Sequence, residues 1–188
     1  GEKIVQNGSA SANRVCSGCG AGMFSTSNNS YECVGWKVCV PGEWISTNGT
    51  SSSDRSCSGC STGTFTASSN EYGCSAWRQC VAGERISVNG SASVNRECVG
   101  CDYGTYSVAG NAVECLSWTV CLAGERISVN GSSSVNRECV SCSNGTHSVV
   151  NNAYECILLT DCSPGEYVTS NGTGSANRLC GACSPGKY

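Results

Sequence analysis

The cysteines of this chain fall on fixed phases of one period, and that fact constrains the fold more than any other. Cys16, Cys57, Cys98, Cys139 and Cys180 follow one another at intervals of 41 residues, and Cys19, Cys60, Cys101, Cys142 and Cys183 do the same. Two further series keep step, Cys33, Cys74, Cys115 and Cys156 in one and Cys39, Cys80, Cys121 and Cys162 in the other. Each unit therefore reads C-x2-C-x13-C-x5-C-x17, without an insertion or a deletion. The period predicts repeats at 16–56, 57–97, 98–138 and 139–179, with residues 1–15 as the tail of a preceding unit and 180–188 as the start of a following one. The expected architecture is an elongated, solenoid-like rod of small disulfide-rich units, mostly irregular or β, cut from a longer array.

Composition supports small stapled units over a large core. The chain has 188 residues, of which 18 are Cys and 24 are Gly, but only 2 are Phe. A repeat of this length buries too little apolar surface to stand alone, and such chains need disulfides, metal or association. An even number of regularly spaced cysteines is the mark of disulfides formed in an oxidising compartment, so the expected location is extracellular or on a cell surface. A net charge of −3 with scattered Lys and Arg leaves no basic stripe for nucleic acid. No apolar run is long enough to span a bilayer, so this segment is expected to make no direct membrane crossing.

Other positions recur on the same period. Glu2, Glu43, Glu84, Glu125 and Glu166 share a phase, as do Arg14, Arg55, Arg96, Arg137 and Arg178. These two series are candidates for pairing within or between units, although exposed pairs contribute only about 0–1 kcal/mol. Gly8, Gly49, Gly90, Gly131 and Gly172 form one glycine series, and Gly22, Gly63, Gly104, Gly145 and Gly186 another; each implies a positive φ or a close approach of segments. Trp36, Trp77 and Trp118 give way to Leu159, as at an apolar packing position. The alternating run Arg85-Ile86-Ser87-Val88, followed by Asn89-Gly90 and a small-residue run ending in Val94, predicts a hairpin with a type I′ turn. The stretch between Cys60 and Cys74 predicts an irregular or two-stranded loop.

The segment from Cys60, CSTGTFTASSNEYGC, followed by SAWRQCVAGERISVNGSASVNREC, resembles the cysteine-rich repeats of the tumour necrosis factor receptor family. The likeness lies in the G-T-F/Y loop between cysteines and in the D/N-R-x-C ending, and it extends over the whole chain. It implies a first bridge across the G-T-F loop, Cys19 to Cys33, Cys60 to Cys74, Cys101 to Cys115 and Cys142 to Cys156. The second implied series is Cys39 to Cys57, Cys80 to Cys98, Cys121 to Cys139 and Cys162 to Cys180. The usual receptor repeat has six cysteines and this one has four, so its second module keeps one bridge. A crossed pattern, Cys60 to Cys80 with Cys74 to Cys98, is the alternative. Under the uncrossed pattern Cys16 and Cys183 are expected to pair beyond the two ends.

Catalytic, metal and cofactor chemistry find little to stand on. The Cys-x2-Cys pairs have the spacing of zinc half-sites, but they stand a full repeat apart and no His accompanies them. A thioredoxin-like role requires one reactive pair, not five equivalent ones. His147, the single histidine, shares the phase of Phe24, Phe65 and Tyr106 and reads as a variant of a packing ring. No nucleophile stands at a plausible spacing from a base, so no enzyme, cofactor or metal site is expected.

One motif carries modification chemistry. Asn-Gly-Ser/Thr recurs at Asn7, Asn48, Asn89, Asn130 and Asn171, with single-copy sequons at Asn28 and Asn144. These seven are the expected N-glycosylation sites, and the Thr50 to Ser53 cluster is a weaker candidate for O-linked sugars. The uniform repeats point to a structural or adhesive surface glycoprotein, a rod or filament whose partners are copies of itself in head-to-tail or lateral contact. The alternative is a receptor ectodomain binding a ligand of the tumour necrosis factor type, for which one or two divergent units are expected.

Overall fold

The computed structural model describes residues 1–187 and contains strands, turns and loops, with no helix among them. Two kinds of two-stranded antiparallel hairpin alternate along the chain. The longer kind pairs β1 (Glu2–Gln6) with β2 (Val15–Gly18), and the shorter kind pairs β3 (Met23–Phe24) with β4 (Val34–Gly35). The pattern continues through β5 (Glu43–Thr47) with β6 (Ser56–Gly59), β7 (Thr64–Phe65) with β8 (Ser75–Ala76), and β9 (Glu84–Val88) with β10 (Glu97–Gly100). It ends with β11 (Thr105–Tyr106) and β12 (Leu116–Ser117), β13 (Glu125–Val129) and β14 (Glu138–Ser141), β15 (Thr146–His147) and β16 (Ile157–Leu158), and β17 (Glu166–Ser170) and β18 (Leu179–Ala182).

Sheets of two strands cannot enclose a core, and the buried apolar set is correspondingly small. It consists of Ile4, Ile45, Ile127, Cys39, Cys80 and Cys121. In two of the long hairpins a buried isoleucine stands opposite a bridged cysteine, Ile45 across from Cys57 and Ile127 across from Cys139, whereas Ile4 faces the unbridged Cys16. The ladder shifts by a bulge just beyond, between Ile45 and Thr47 and between Ile127 and Val129. Disulfide sulfur and one β-branched side chain thus fill the space that a larger domain would fill with several apolar residues.

The Asn-Gly turn expected from the sequence is corrected by this geometry. The second strand of the hairpin is not the small-residue run ending in Val94 but the cysteine-bearing β10, which begins at Glu97. Residues 89–96 form a loop closed by a bond from the Ser91 N–H to the Val94 carbonyl, 2.9 Å. A type I′ turn requires positive φ at both central residues, and neither Asn89 nor Gly90 adopts it. Positive φ belongs instead to the second glycine series, such as Gly63 at 89° and Gly104 at 88°, and to Asn29, Asn70, Asn111 and Asn152 at 57–62°.

The chain divides into two compact units. The first comprises Gly1–Gln79 with Ser87–Glu97, and the second Cys80–Ile86 with the chain from Cys98 onward. Each contains both kinds of hairpin and both kinds of bridge.

Candidate functional site

The structure brings together eight cysteine pairs. Cys19–Cys33, Cys60–Cys74, Cys101–Cys115 and Cys142–Cys156 each span 14 residues and tie off a short hairpin. Cys39–Cys57, Cys80–Cys98, Cys121–Cys139 and Cys162–Cys180 each span 18 and anchor the long hairpin to the segment before it. The crossed pattern does not occur, and Cys16 and Cys183 are free thiols in this structure. The bridged unit runs from Cys19 to Cys57, so both of its staples close within one stretch. Loops of these lengths contribute on the order of 3 kcal/mol each in the chain-entropy description.

Between successive repeats lies a joint that the sequence did not single out. In the first unit the Thr66 hydroxyl accepts the Gly42 N–H at 2.8 Å and donates to the Glu43 carbonyl at 3.1 Å. In the second unit Ser107 does the same for Gly83 and Glu84, and Ser148 for Gly124 and Glu125. All three hydroxyl residues are buried, together with Ser25 at the same phase. Each also donates its own N–H onward into the next loop, Thr66 to Ala92, Ser107 to Ser133 and Ser148 to Gly174. A buried hydroxyl with both its donor and its acceptor used is a specific fastening: the glycine amide it accepts is shared with the backbone carbonyl of the same residue, and removing the hydroxyl leaves the glutamate carbonyl without its donor.

An asparagine completes the joint. The Cys39 N–H donates to Asn70 Oδ1 at 3.0 Å while the Asn70 N–H returns to the Cys39 carbonyl at 2.8 Å. Cys80 with Asn111, and Cys121 with Asn152, repeat this double bond. Holding the side-chain amide there requires the left-handed backbone, which Asn adopts more readily than other non-glycine residues.

Glu43 and Arg55, like Glu125 and Arg137, have separate duties. Arg55 lies over the Trp36 ring at 5.3 Å, its Nη1 donating to Asn70 at 2.6 Å, and Arg137 lies over Trp118 at 5.2 Å while bonding Asn152. Arg96 stacks on Trp77 in the same way. The carboxylates turn back on their own turns, Glu43 accepting the Val40 N–H and Glu125 the Leu122 N–H. The indole face gives the guanidinium a cation–π partner, worth about 0.5–1 kcal/mol at an exposed site. Where Leu159 replaces the ring, Arg178 pairs with Asp161 at 3.0 Å instead.

Close approach to the same indole explains the first glycine series at Gly49, Gly90 and Gly131. A Cβ built on Gly49, Gly90 or Gly131 would stand inside the Trp36, Trp77 or Trp118 ring, and one on Gly172 would strike Leu159. The indole Nε1 donates to the following loop, Trp77 to the Ser91 carbonyl at 2.9 Å and Trp118 to Ser132 at 2.9 Å. Glycine is required after the sequon asparagine by close approach, not by turn type.

The seven sequon asparagines are all exposed: Asn7, Asn28, Asn48, Asn89, Asn130, Asn144 and Asn171. Their hydroxyl residues also have structural work. Thr50 Oγ1 accepts the Ser52 N–H, Ser91 Oγ the Ser93 N–H and Ser132 Oγ the Ser134 N–H. Thr146 in the Asn144 sequon donates to the Ser143 carbonyl, as Thr64 and Thr105 do to their own turns without any sequon.

The remaining candidates resolve on burial and bonding. His147 is 2% exposed on β15 opposite Ile157, a packing ring inside the hairpin. Cys80, Glu84 and Cys98 lie close enough together to suggest metal ligation, but the two sulfurs are joined to each other as a disulfide and offer no thiolate. Among the described residues no helix is long and apolar enough to cross a membrane.

The family model for the TNFR/NGFR cysteine-rich region matches residues 19–57, 60–98 and 101–139, more than half of the chain. Among solved structures, a human RANKL/OPG complex is similar at 20% identity over 86% of this chain and 97% of that one, with a TM-score of 0.37. A structure of equine lentivirus receptor 1 is 26% identical over 54% of this chain and 96% of that one, with a TM-score of 0.34. A mouse RANKL–OPG complex is 18% identical over 73% and 98%, with a TM-score of 0.34. No curated protein sequence matches the chain significantly. Disulfide-rich repeats of this kind are typical of extracellular regions. With four-cysteine units in tandem, the chain belongs to the TNFR/NGFR cysteine-rich region family.

Proposed function

We propose that this chain is a segment of an extracellular structural or adhesive glycoprotein, in which tandem repeats build a rod or filament on or outside a cell. The observation that carries the reading is the joint: the same buried hydroxyl and the same asparagine fasten one repeat to the next wherever the two lie in one unit. A chain that repeats its fastening without variation offers the same surface at each step, and copies of the chain can meet along it in register. The exposed sequons add N-glycans, with Asn48, Asn89 and Asn130 as the principal acceptors. Electron microscopy of purified native material tests this. Filaments or laterally associated arrays are expected, whereas dispersed monomers that capture a soluble trimeric ligand overturn the reading.

One observation favours a second reading, a ligand-binding ectodomain. Val149, Val150, Ile157 and Leu158 are 53–79% exposed in the fourth repeat, where the second repeat has Ala67, Ser68, Ser75 and Ala76. An apolar patch confined to particular units is what a selective contact needs. Binding of a protein ligand that is lost on Leu158→Ser, with the array still monomeric, would decide for the receptor.

A further inference from the structure

Exposed tyrosines recur at a fixed interval after three sequons of this chain, and their exposure leaves them little part in the packing of the repeats. Tyr31, Tyr72 and Tyr154 share one phase of the repeat and are 64%, 70% and 70% exposed. Rings as open as this give up most of the burial that makes an aromatic residue useful. In the first unit the Tyr31 hydroxyl donates to Asn7 Oδ1 at 3.0 Å, so the ring reaches the sequon asparagine that precedes it by 24 residues. Tyr72 follows Asn48, and Tyr154 follows Asn130, at the same interval. The chain just before each ring is pinned to the strand that leads into the sequon. Ile4 N–H donates to the Ser30 carbonyl at 2.7 Å, Ile45 N–H to Glu71 at 2.8 Å and Ile127 N–H to Ala153 at 2.7 Å. The same backbone bond thus anchors the segment before the ring in all three places, and at Tyr31 the hydroxyl itself closes onto the asparagine.

The chemistry of the contact is directional. At Asn7 the tyrosine uses the oxygen of the side-chain amide, and an N-linked sugar is attached to its nitrogen, so the hydrogen bond and the glycan are compatible. The hydroxyl fixes the amide, and keeps an electron-rich ring within reach of the attachment point. The C–H face of a pyranose presents polarised hydrogens to such a ring and removes apolar surface from water.

We infer that Tyr31, Tyr72 and Tyr154 form carbohydrate platforms, each seating the first sugar of an N-linked glycan carried by Asn7, Asn48 and Asn130 respectively. The inference rests on the glycosylation of these sequons put forward above. The third repeat carries Val113 at this phase, so it offers no ring and serves as the internal contrast. Seated sugars hold the glycans against the protein.

The test is tyrosine nitration by tetranitromethane on the full chain secreted from a eukaryotic host, read by peptide mass spectrometry. Tyr103, 90% exposed and in contact with Trp118, provides the reference rate. Tyr72 and Tyr154 are expected to react several-fold more slowly than Tyr103 in glycosylated molecules, and to regain that rate after enzymatic removal of the glycans from the folded protein. Asn48→Gln is expected to release Tyr72 alone, leaving Tyr154 protected. Equal nitration with and without a glycan confirmed on the same peptides overturns the platform while leaving glycosylation standing. Unmodified Asn48 and Asn130 peptides in the same spectra overturn both.

Discussion

At the scale of single residues, the account depends on contacts in which one atom more or less is felt. Gly90 lies against the Trp77 ring, and a methyl group there must displace the indole or the loop. Gly90→Ala is expected to lower stability by about 1–3 kcal/mol, the usual range for overpacking. Gly73→Ala, where the added Cβ meets nothing, is expected to stay within about 0.5 kcal/mol. Thermal or denaturant unfolding of the two variants side by side checks both. The buried hydroxyl makes a second case. Thr66→Val keeps the shape but orphans the Glu43 carbonyl and weakens the bond to Gly42, at a cost of about 1–3 kcal/mol. Thr66→Ser is expected to be near neutral, because Ser107 and Ser148 make the same bonds in their own repeats. Hydrogen exchange at the Gly42 amide distinguishes them: faster in the valine variant, where only the 3.0 Å bond to the Thr66 carbonyl remains, and unchanged in the serine variant.

These residue-scale contacts were legible in the sequence to differing degrees. The glycine series and the Trp/Leu position announced a close approach and a packing site, and both proved to be parts of one contact, Gly49 against Trp36. What the sequence did not reveal is which serine, threonine or asparagine matters. The chain is rich in all three, so Thr66 and Asn70 look like any other loop residues. A signal was present nonetheless: Ser25, Thr66, Ser107 and Ser148 are hydroxyl residues at every copy of one phase, and Asn29, Asn70, Asn111 and Asn152 are invariant at another. Reading Asn-Gly as a type I′ turn failed because the local dipeptide preference was overridden by the indole packed on the glycine, a tertiary contact between residues 13 apart in sequence, Trp77 and Gly90. Glu43 and Arg55 take other partners, a turn amide for the carboxylate and a ring for the guanidinium.

At the scale of the element, each short hairpin exists because a bridge holds it. A ladder such as Thr64 with Ala76 and Phe65 with Ser75 is only two pairs long, and isolated two-stranded hairpins are marginal in water. Replacing both Cys60 and Cys74 by serine removes the staple from one hairpin and leaves the others covalently intact. The expected cost is about 3 kcal/mol, localised to residues 61–76. Hydrogen exchange is the readout: protection lost throughout that stretch and retained at β13 and β14. Uniform loss of protection along the chain would mean that the repeats do not stand on their own bridges. The period and the spacing were enough to predict units of this kind, whereas the bulge after each isoleucine and the true second strand required the pairing itself.

At the scale of the whole molecule, stability is the sum of many small stapled pieces. With six buried apolar residues among the described ones, three of them cysteines of the bridges, the described chain has no core to survive reduction. Full reduction under native conditions is therefore expected to abolish the β-hairpin circular dichroism and hydrogen-exchange protection of both units. A chain that kept its protection after reduction would have to owe it to something other than disulfides. The central claim is the uncrossed stapling of every repeat, from which the joint, the ring stacks and the sequon surface all follow. Non-reducing peptide mapping by mass spectrometry, with glycans retained, tests it most directly. Linked peptides joining Cys60 to Cys74 and Cys80 to Cys98, with the same pattern in the other repeats, are the predicted result; linkage of Cys60 to Cys80 and Cys74 to Cys98, or free thiols at these positions, would contradict it.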